Sequence, residues 1–292
     1  MRPRGRCLAS VLAVTLAVPP AGVRWQPERP LQGSLVVVTV RPDSLPRPAS
    51  VTALLGGMAG GEPLHFEATA AGVGWWALAP VPLRTADTLD VSVTVERDSA
   101  TTDTVVTRVP VTERTFHSER LHPPPEYRHA PDSSVVARLA AESEQVAVVF
   151  RQTHATPRLR REGFLRPVPG KINSAFGARR AFGEGIEGRH RGVDLAAALG
   201  HPVLATNRGV VALVADQYYG GLTVLIDHGA GLVTGYEHLS SAAVSVGDTV
   251  ARGSVVGKVG ATGRATGPHL HWAAFYGRVA VDPLQLLTLT QP

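Results

Sequence analysis

Two histidines near the C-terminus, His269 and His271, stand two positions apart in an apolar run that ends in Trp272. On a β-strand, residues i and i+2 project from the same face, so both imidazoles are expected to reach the same space. An isolated pair of this kind is also compatible with ordinary polar surface residues. The pair therefore gains significance only if other residues of related chemistry reach the same space.

A second stretch, His190-Arg191-Gly192-Val193-Asp194, places an imidazole and a carboxylate an even number of positions apart. If the stretch is extended, both side chains face the same way, and Gly192 leaves room between them. Imidazoles and one carboxylate suit a borderline-soft ion such as Zn²⁺. With His271 as the natural third ligand, a fourth position stays open for water, as in catalytic zinc sites.

A general base must stand near such a site, and His238 and His269 are the candidates. A histidine near its ordinary pKa can accept a proton and return it at neutral pH. The spacing alone does not decide which member of the C-terminal pair binds the metal. The remaining histidines are interpreted as structural or surface residues: His65, His117, His122, His129, His154, His201 and His228.

The elements that must position these residues are predicted to be mainly β. From Phe164 onward, short valine-rich segments alternate with glycines, which is typical of a β domain with tight turns. The N-terminal region also reads as strands, and Leu89 to Val95 alternates apolar and polar residues with period two. Several short strands at regular spacing predict an immunoglobulin-like β-sandwich. Its strand candidates are 35–40, 51–55, 64–67, 74–78, 89–95 and 105–111.

A different pattern separates the two β regions. Pro123 to Pro125 form a stiff spacer, and Asp132 or Ser133 can cap a helix that continues to about Thr153. The charged run at 158–162 is interpreted as a solvated linker. The predicted organisation is a signal peptide at 1–21, a sandwich at 23–115, a linker with a helix at 116–163 and an antiparallel β domain at 164–288.

The N-terminus predicts export. A basic start precedes an apolar run from Cys7 to Val18, which is too short to span a bilayer. Cleavage would leave no stable membrane span and no cysteine, because Cys7 is the only one. The 292-residue chain has a formal charge of +5, which falls by three to +2 without the first 21 residues. A nearly neutral mature chain gives little reason to expect nucleic acid as a partner.

The histidine motifs together resemble the lysostaphin/LytM-type zinc metalloendopeptidases, which hydrolyse peptide bonds of bacterial peptidoglycan. The resemblance covers about 164–287 and rests on HRGVDLA, IDHGAGLVTGYEHLS, the glycine-rich run ending in GPHLHW, and VDP. It implies one Zn²⁺ per chain, held by His190, Asp194 and His271. It also implies that His238 and His269 are the catalytic pair, in a periplasmic or extracellular protein.

The chain departs from this family at one position near the site. Some members carry a tyrosine a few residues before the first zinc histidine, where it is thought to help hold the oxyanion. Residues 181–189 of this chain contain no tyrosine. Oxyanion stabilisation would then depend on the zinc and the histidines.

The sequence thus favours an exported zinc metalloendopeptidase acting on peptidoglycan peptides, whether cross-links or stem peptides. A non-catalytic wall-binding or amidase-activating module of the same fold is the alternative, but such relatives typically lack some of the five residues that are present here. A lipoyl-like carrier is disfavoured, because Lys258 lies within a predicted strand rather than at an exposed turn. The residues specify neither the oligomeric state nor the role of the N-terminal domain.

Overall fold

The computed structural model describes most of the chain. The described residues are 22–40, 50–55, 61–70, 74–85, 87–96, 102–182 and 187–289. The predicted signal peptide at 1–21 lies outside them.

The N-terminal region consists of eight strands in two antiparallel four-stranded sheets. One sheet has the order β1-β2-β6-β5 and the other β4-β3-β7-β8. The strands are β1 Val23–Gln26, β2 Leu35–Val40, β3 Ser50–Leu55, β4 Glu62–His65, β5 Glu67–Ala68, β6 Trp75–Pro80, β7 Thr88–Glu96 and β8 Thr102–Pro110.

The alternation predicted for β7 is confirmed. Leu89, Val91 and Val93 are buried, whereas Asp90 is exposed and Ser92 is half-buried. The buried side chains of β7 belong to the same hydrophobic core as those of β2 and β6 in the other sheet. Buried residues of both sheets in one core agree with the predicted β-sandwich, but the sandwich and its immunoglobulin-like topology both stay predictions.

The segment after the sandwich contains the predicted helix. Helix α1 spans Ser133–Gln152, and the Asp132 side chain caps it by accepting a hydrogen bond from the Val135 amide. Before it come strand β9, Ser118–Arg120, and a 3-10 turn at Pro125–Tyr127. Among the described residues, no helix is both long and apolar enough to cross a membrane.

The charged run after α1 is less exposed than predicted. Arg160 is only 3% exposed, and its guanidinium donates to the Gly229 carbonyl at 3.1 Å. Arg158 pairs with Glu67 at 2.9 Å and lies over the Trp76 ring. The prediction of a solvated run is wrong for Arg160, whereas Arg158, Arg161 and Glu162 are exposed as predicted.

The C-terminal region is built on a ten-stranded sheet. Its main path runs β10-β13-β20-β17-β16-β15-β18; β19 joins β17 to β14, and β21 pairs with β20. Strands β11 and β12 pair with each other, and β9 adds to β11 in parallel. The bounds are β10 Ile172–Ser174, β11 Arg179–Ala181, β12 Glu187–Arg189, β13 Gly192–Ala196, β14 Pro202–Leu204, β15 Gly209–Gln217, β16 Gly221–Asp227, β17 Leu232–Ala242, β18 Thr249–Val250, β19 Val255–Val259, β20 His269–Tyr276 and β21 Val279–Val281, followed by a 3-10 helix at Pro283–Thr288.

The two faces of β20 have different neighbours. Leu270 and Trp272 are fully buried in the main core. The opposite face carries His271 and Phe275, and the Phe275 ring packs against Phe150 of α1 with 4.9 Å between ring centroids. The strand face that bears the histidines therefore continues under helix α1.

Candidate metal centre

His190, Asp194 and His271 meet in the C-terminal sheet. His190 Nε2 lies 3.0 Å from Asp194 Oδ1 and 2.9 Å from His271 Nδ1. His271 Nδ1 lies 2.9 Å from the same Asp194 oxygen. All three residues are buried, and they form a group that could hold a metal ion.

Strand register explains why these residues meet. Asp194 on β13 lies directly opposite His271 on β20. Neighbouring residues of this kind project from the same face of the sheet at about 5 Å between Cβ atoms. His190 reaches them from the link between β12 and β13. Gly192 is required there, since a Cβ at this position would lie 2.6 Å from His271 Nε2.

The hydrogen bonds of His190 determine which nitrogen faces the site. Its Nδ1–H donates to the Ala175 carbonyl at 2.9 Å, so Nε2 carries the lone pair. Three atoms converge here, with no more than 3.0 Å between any two of them: His190 Nε2, Asp194 Oδ1 and His271 Nδ1. These three atoms could hold a metal ion, and the donor set fits a divalent metal that accepts nitrogen and oxygen ligands.

The second carboxylate oxygen of Asp194, Oδ2, accepts a hydrogen bond from outside this group of three residues. Arg180 of β11 donates to Asp194 Oδ2 and to Ser174 Oγ. Ser174 in turn donates to Glu119 of β9 at 2.7 and 2.8 Å to its two oxygens. The segment before α1 therefore supports the orientation of Asp194.

His238 and His269 lie beside this group. Their ring centroids are 4.8 Å apart, and His269 Nε2 lies 3.6 Å from Asp194 Oδ1. Each Nδ1–H donates to a backbone carbonyl at 2.8 Å, from His238 to Thr262 and from His269 to Gly267. Both Nε2 atoms consequently remain available as proton acceptors.

His238 occupies an unusual backbone conformation. Its φ is +62°, in the left-handed region that a residue with a Cβ seldom adopts. The amide of His238 donates to the Gly220 carbonyl at 2.7 Å, which helps to hold this conformation. A strained backbone at a residue that faces a cavity is frequent at functional sites.

The pKa values of the buried histidines are shifted in different directions. Burial lowers the pKa of His190 to about 4, and burial with the neighbouring His269 and His271 lowers the pKa of His238 to about 3. Burial alone would lower the pKa of His271 as well, but the carboxylates of Glu237 and Asp194 outweigh it and raise this pKa. In the metal-free chain His190 and His238 are thus neutral imidazoles at neutral pH.

Burial alone would raise the pKa of Asp194, but the neighbouring imidazoles of His190 and His271 outweigh it and hold that pKa well below its ordinary value. The carboxylate is therefore ionised at neutral pH, as a metal ligand must be.

A cavity of about 200 Å³ opens in front of the histidines. Besides His190, His238 and His271, it is lined by residues that sequence reasoning did not single out, chiefly Arg180, Phe182, Arg189, Tyr219, Glu237 and Arg264. Tyr219 lies in the loop before β16 and Arg264 in the glycine-rich stretch before β20. Their only sequence signal is proximity to the histidine motifs, because their meeting depends on how the loops fold.

The chain contains a peptidase M23 domain of the lysostaphin/LytM type. Residues 188–283 match the model of peptidase family M23, and this range includes all five predicted site residues. M23 is a family of hydrolases that cleave peptide bonds, which agrees with the resemblance carried by the histidine motifs.

Curated relatives of the chain are named as peptidoglycan DD-endopeptidases. The chain is 45% identical over 83 residues to ShyA of Vibrio cholerae. The aligned residues cover 28% of this chain and 19% of ShyA. It is 35% identical over 131 residues to ShyC of the same organism, covering 43% of this chain and 30% of ShyC. The chain thus spans less than a third of the length of these relatives.

A solved structure extends the similarity beyond the M23 domain. A protein from Pseudomonas aeruginosa assigned to peptidase M23 has a TM-score of 0.66 and 28% identity, and it covers 89% of this chain and 95% of its own. The N-terminal sheets and the C-terminal sheet therefore occur together in another protein assigned to this family.

Proposed function

We propose that the chain is a zinc metalloendopeptidase that hydrolyses peptide bonds of bacterial peptidoglycan. One observation carries the proposal: the ligand atoms of His190, Asp194 and His271 converge within 3.0 Å beside two further imidazoles. Two imidazoles and one carboxylate form a set that suits Zn²⁺ and leaves one coordination position for the reaction. When bound, zinc supplies Lewis-acid chemistry that polarises a carbonyl and lowers the pKa of water.

His238 and His269 would carry out the proton transfers. The Nδ1–H groups of His238 and His269 are held by backbone carbonyls, and His269 Nε2 lies 3.6 Å from Asp194 Oδ1. A neutral imidazole in this position can take the proton of the attacking water and return it to the leaving amine.

The substrate class follows from the relatives. ShyA and ShyC are named as DD-endopeptidases acting on peptidoglycan. We infer that this chain also acts on peptidoglycan peptides, with a cross-link between D-amino acids as the favoured bond. Peptidoglycan lies outside the cytoplasm, so this activity agrees with the export that the N-terminal sequence predicts.

Digestion of purified peptidoglycan sacculi tests the proposal. The zinc-loaded chain is expected to release soluble muropeptides, and mass spectrometry of the products identifies the bond that was cut. A chelator should abolish release, and added Zn²⁺ should restore it. Intact sacculi after incubation with folded, zinc-loaded protein would contradict the proposal and favour a non-catalytic wall-binding module.

A further inference from the structure

Arg264 lies between two aromatic rings at the edge of the catalytic cavity. Its guanidinium carbon is 3.6 Å from the Phe182 ring centroid and 4.1 Å from that of Tyr219. The same cavity is lined by His238 and His271. A half-buried cation therefore lies within reach of whatever occupies the catalytic group.

Both rings contact the guanidinium of Arg264. Aromatic faces attract a cation but cannot accept the in-plane N–H hydrogen bonds. Among the described residues, the Arg264 side chain has no hydrogen-bond acceptor and no ion-pair partner; only its backbone amide is bonded, to the Tyr219 carbonyl. Burial lowers the pKa of Arg264, yet an arginine stays protonated in proteins.

The neighbouring arginines are used differently. Arg180 pairs with Asp194 and Glu119, and Arg189 donates to the Gly177 carbonyl and lies over the Phe116 ring. Glu237 is the one acidic side chain among the described residues that line the cavity. Among the described residues that line the cavity, arginines outnumber acidic side chains, and two of them, Arg264 and the exposed Arg191, have side-chain donors without a protein acceptor. Of these two, Arg264 is half-buried and in contact with aromatic rings.

We propose that Arg264 is a specificity-determining residue that binds a free carboxylate of the peptide substrate beside the scissile bond. The proposal rests on the endopeptidase function proposed above. A guanidinium offers two parallel N–H donors that match both oxygens of a carboxylate. Contact with Phe182 and Tyr219 restricts the Arg264 guanidinium before substrate binds. Little side-chain conformational entropy is therefore lost on binding. An amide in place of the carboxylate removes both the charge and one acceptor.

Equilibrium binding of a soluble cross-linked peptide dimer tests this subsite. The dimer is prepared once with free carboxylates and once with these groups amidated, and calorimetry on the metal-free chain gives each Kd without turnover. The free form is expected to bind about tenfold more tightly, as for a hydrogen-bonded charge pair. Arg264→Gln should remove this preference and Arg264→Lys should retain part of it. Arg161→Gln, which removes an exposed charge elsewhere, should leave it unchanged.

The results separate the subsite from the proposed activity. Equal binding of both dimers by the wild-type chain, or an unchanged preference in Arg264→Gln, would overturn the carboxylate subsite even if sacculi are digested. A preference that disappears in Arg264→Gln supports the subsite, even if the zinc-loaded chain leaves the dimer uncut. In a chain that does cut, Arg264→Gln should raise KM for the free dimer about tenfold with kcat nearly unchanged.

Discussion

The candidate metal centre and a second cluster, formed where β4 meets the end of α1, are built from the same types of side chain. In this junction cluster, His154 Nε2 lies 2.7 Å from Glu62 Oε1, and His154 Nδ1 lies 2.8 Å from His65 Nε2. Both clusters are at least half-buried and join two imidazoles to one carboxylate. Their composition alone would not tell a metal site from a structural contact.

The difference lies in how the polar atoms are arranged. At the junction they form a chain, in which each nitrogen of His154 faces one partner and a proton can occupy each gap. In the candidate metal centre, His190 is bonded to a carbonyl through Nδ1, and one ligand atom each from His190, Asp194 and His271 converges on the same point. Three converging ligand atoms can coordinate one cation, whereas each contact of the junction cluster can hold a proton. Substitutions in the two clusters should therefore have different consequences.

The largest expected effect follows removal of a metal ligand. His271→Ala leaves His190 and Asp194 without the third donor, and hydrolysis of sacculi should be lost. Muropeptide release over time is the measurement. His129→Ala, which removes an exposed histidine, should leave release unchanged. Hydrolysis by a folded His271→Ala protein would show that this group is not the catalytic centre.

Removal of the second histidine on the same strand should separate metal binding from turnover. His269→Ala is expected to retain zinc and to lower kcat about 100- to 10,000-fold, the usual contribution of general acid–base catalysis. Metal content and kcat measured on one preparation check both statements. Normal turnover in this variant would refute the role proposed for His269.

At the junction the expected loss is stability. Glu62→Ala removes the acceptor for the His154 ring and for the backbone amide of Arg278, and it opens a cavity beside Gly277. Leaving a buried hydrogen-bond donor without its acceptor costs about 1–3 kcal/mol of unfolding free energy. Chemical denaturation is the measurement, and zinc should still bind.

An exposed pair gives the matched control for that substitution. Glu144→Ala breaks a contact with Arg151 in which both side chains are at least 60% exposed, so it should cost less than about 1 kcal/mol. Equal losses in Glu62→Ala and Glu144→Ala would mean that the junction contributes no more than a surface ion pair.

A smaller effect should appear in the pH dependence of stability. Burial, with the nearby charges of His154 and Arg160, lowers the pKa of His65 to about 4 from 6.5. Between these values the unfolded chain takes up a proton that the folded chain does not, so the unfolding free energy falls as the pH drops from about 6.5 to 4. His65→Gln should make this slope shallower for the metal-free chain. An identical slope in both proteins would exclude His65 as a contributor.

Much of the site could be predicted from sequence because strand periodicity determines which side chains share a face. His269 and His271 are separated by one core residue, Leu270, and the meeting of Asp194 with His271 follows from antiparallel pairing. The same reasoning predicted helix α1 from its cap and its apolar spacing.

Other parts of the site depend on tertiary structure that no local pattern encodes. Tyr219 and Phe182 enclose Arg264 only because separate loops fold against the same end of the sheet. Glu119 is linked to Asp194 through Ser174 and Arg180, and it lies on a three-residue parallel strand that the sequence does not predict. The burial of Arg160 was missed because a charged run usually indicates solvent, and its carbonyl partner is distant in sequence.

Metal content tests the contrast between the two clusters most directly. The wild-type chain, His154→Ala and His271→Ala are dialysed against limiting Zn²⁺, and zinc per folded chain is measured by mass spectrometry. The account predicts about one zinc in the wild type and in His154→Ala and none in His271→Ala. Zinc retained by His271→Ala, or lost from a folded His154→Ala, would contradict the assignment of the metal centre.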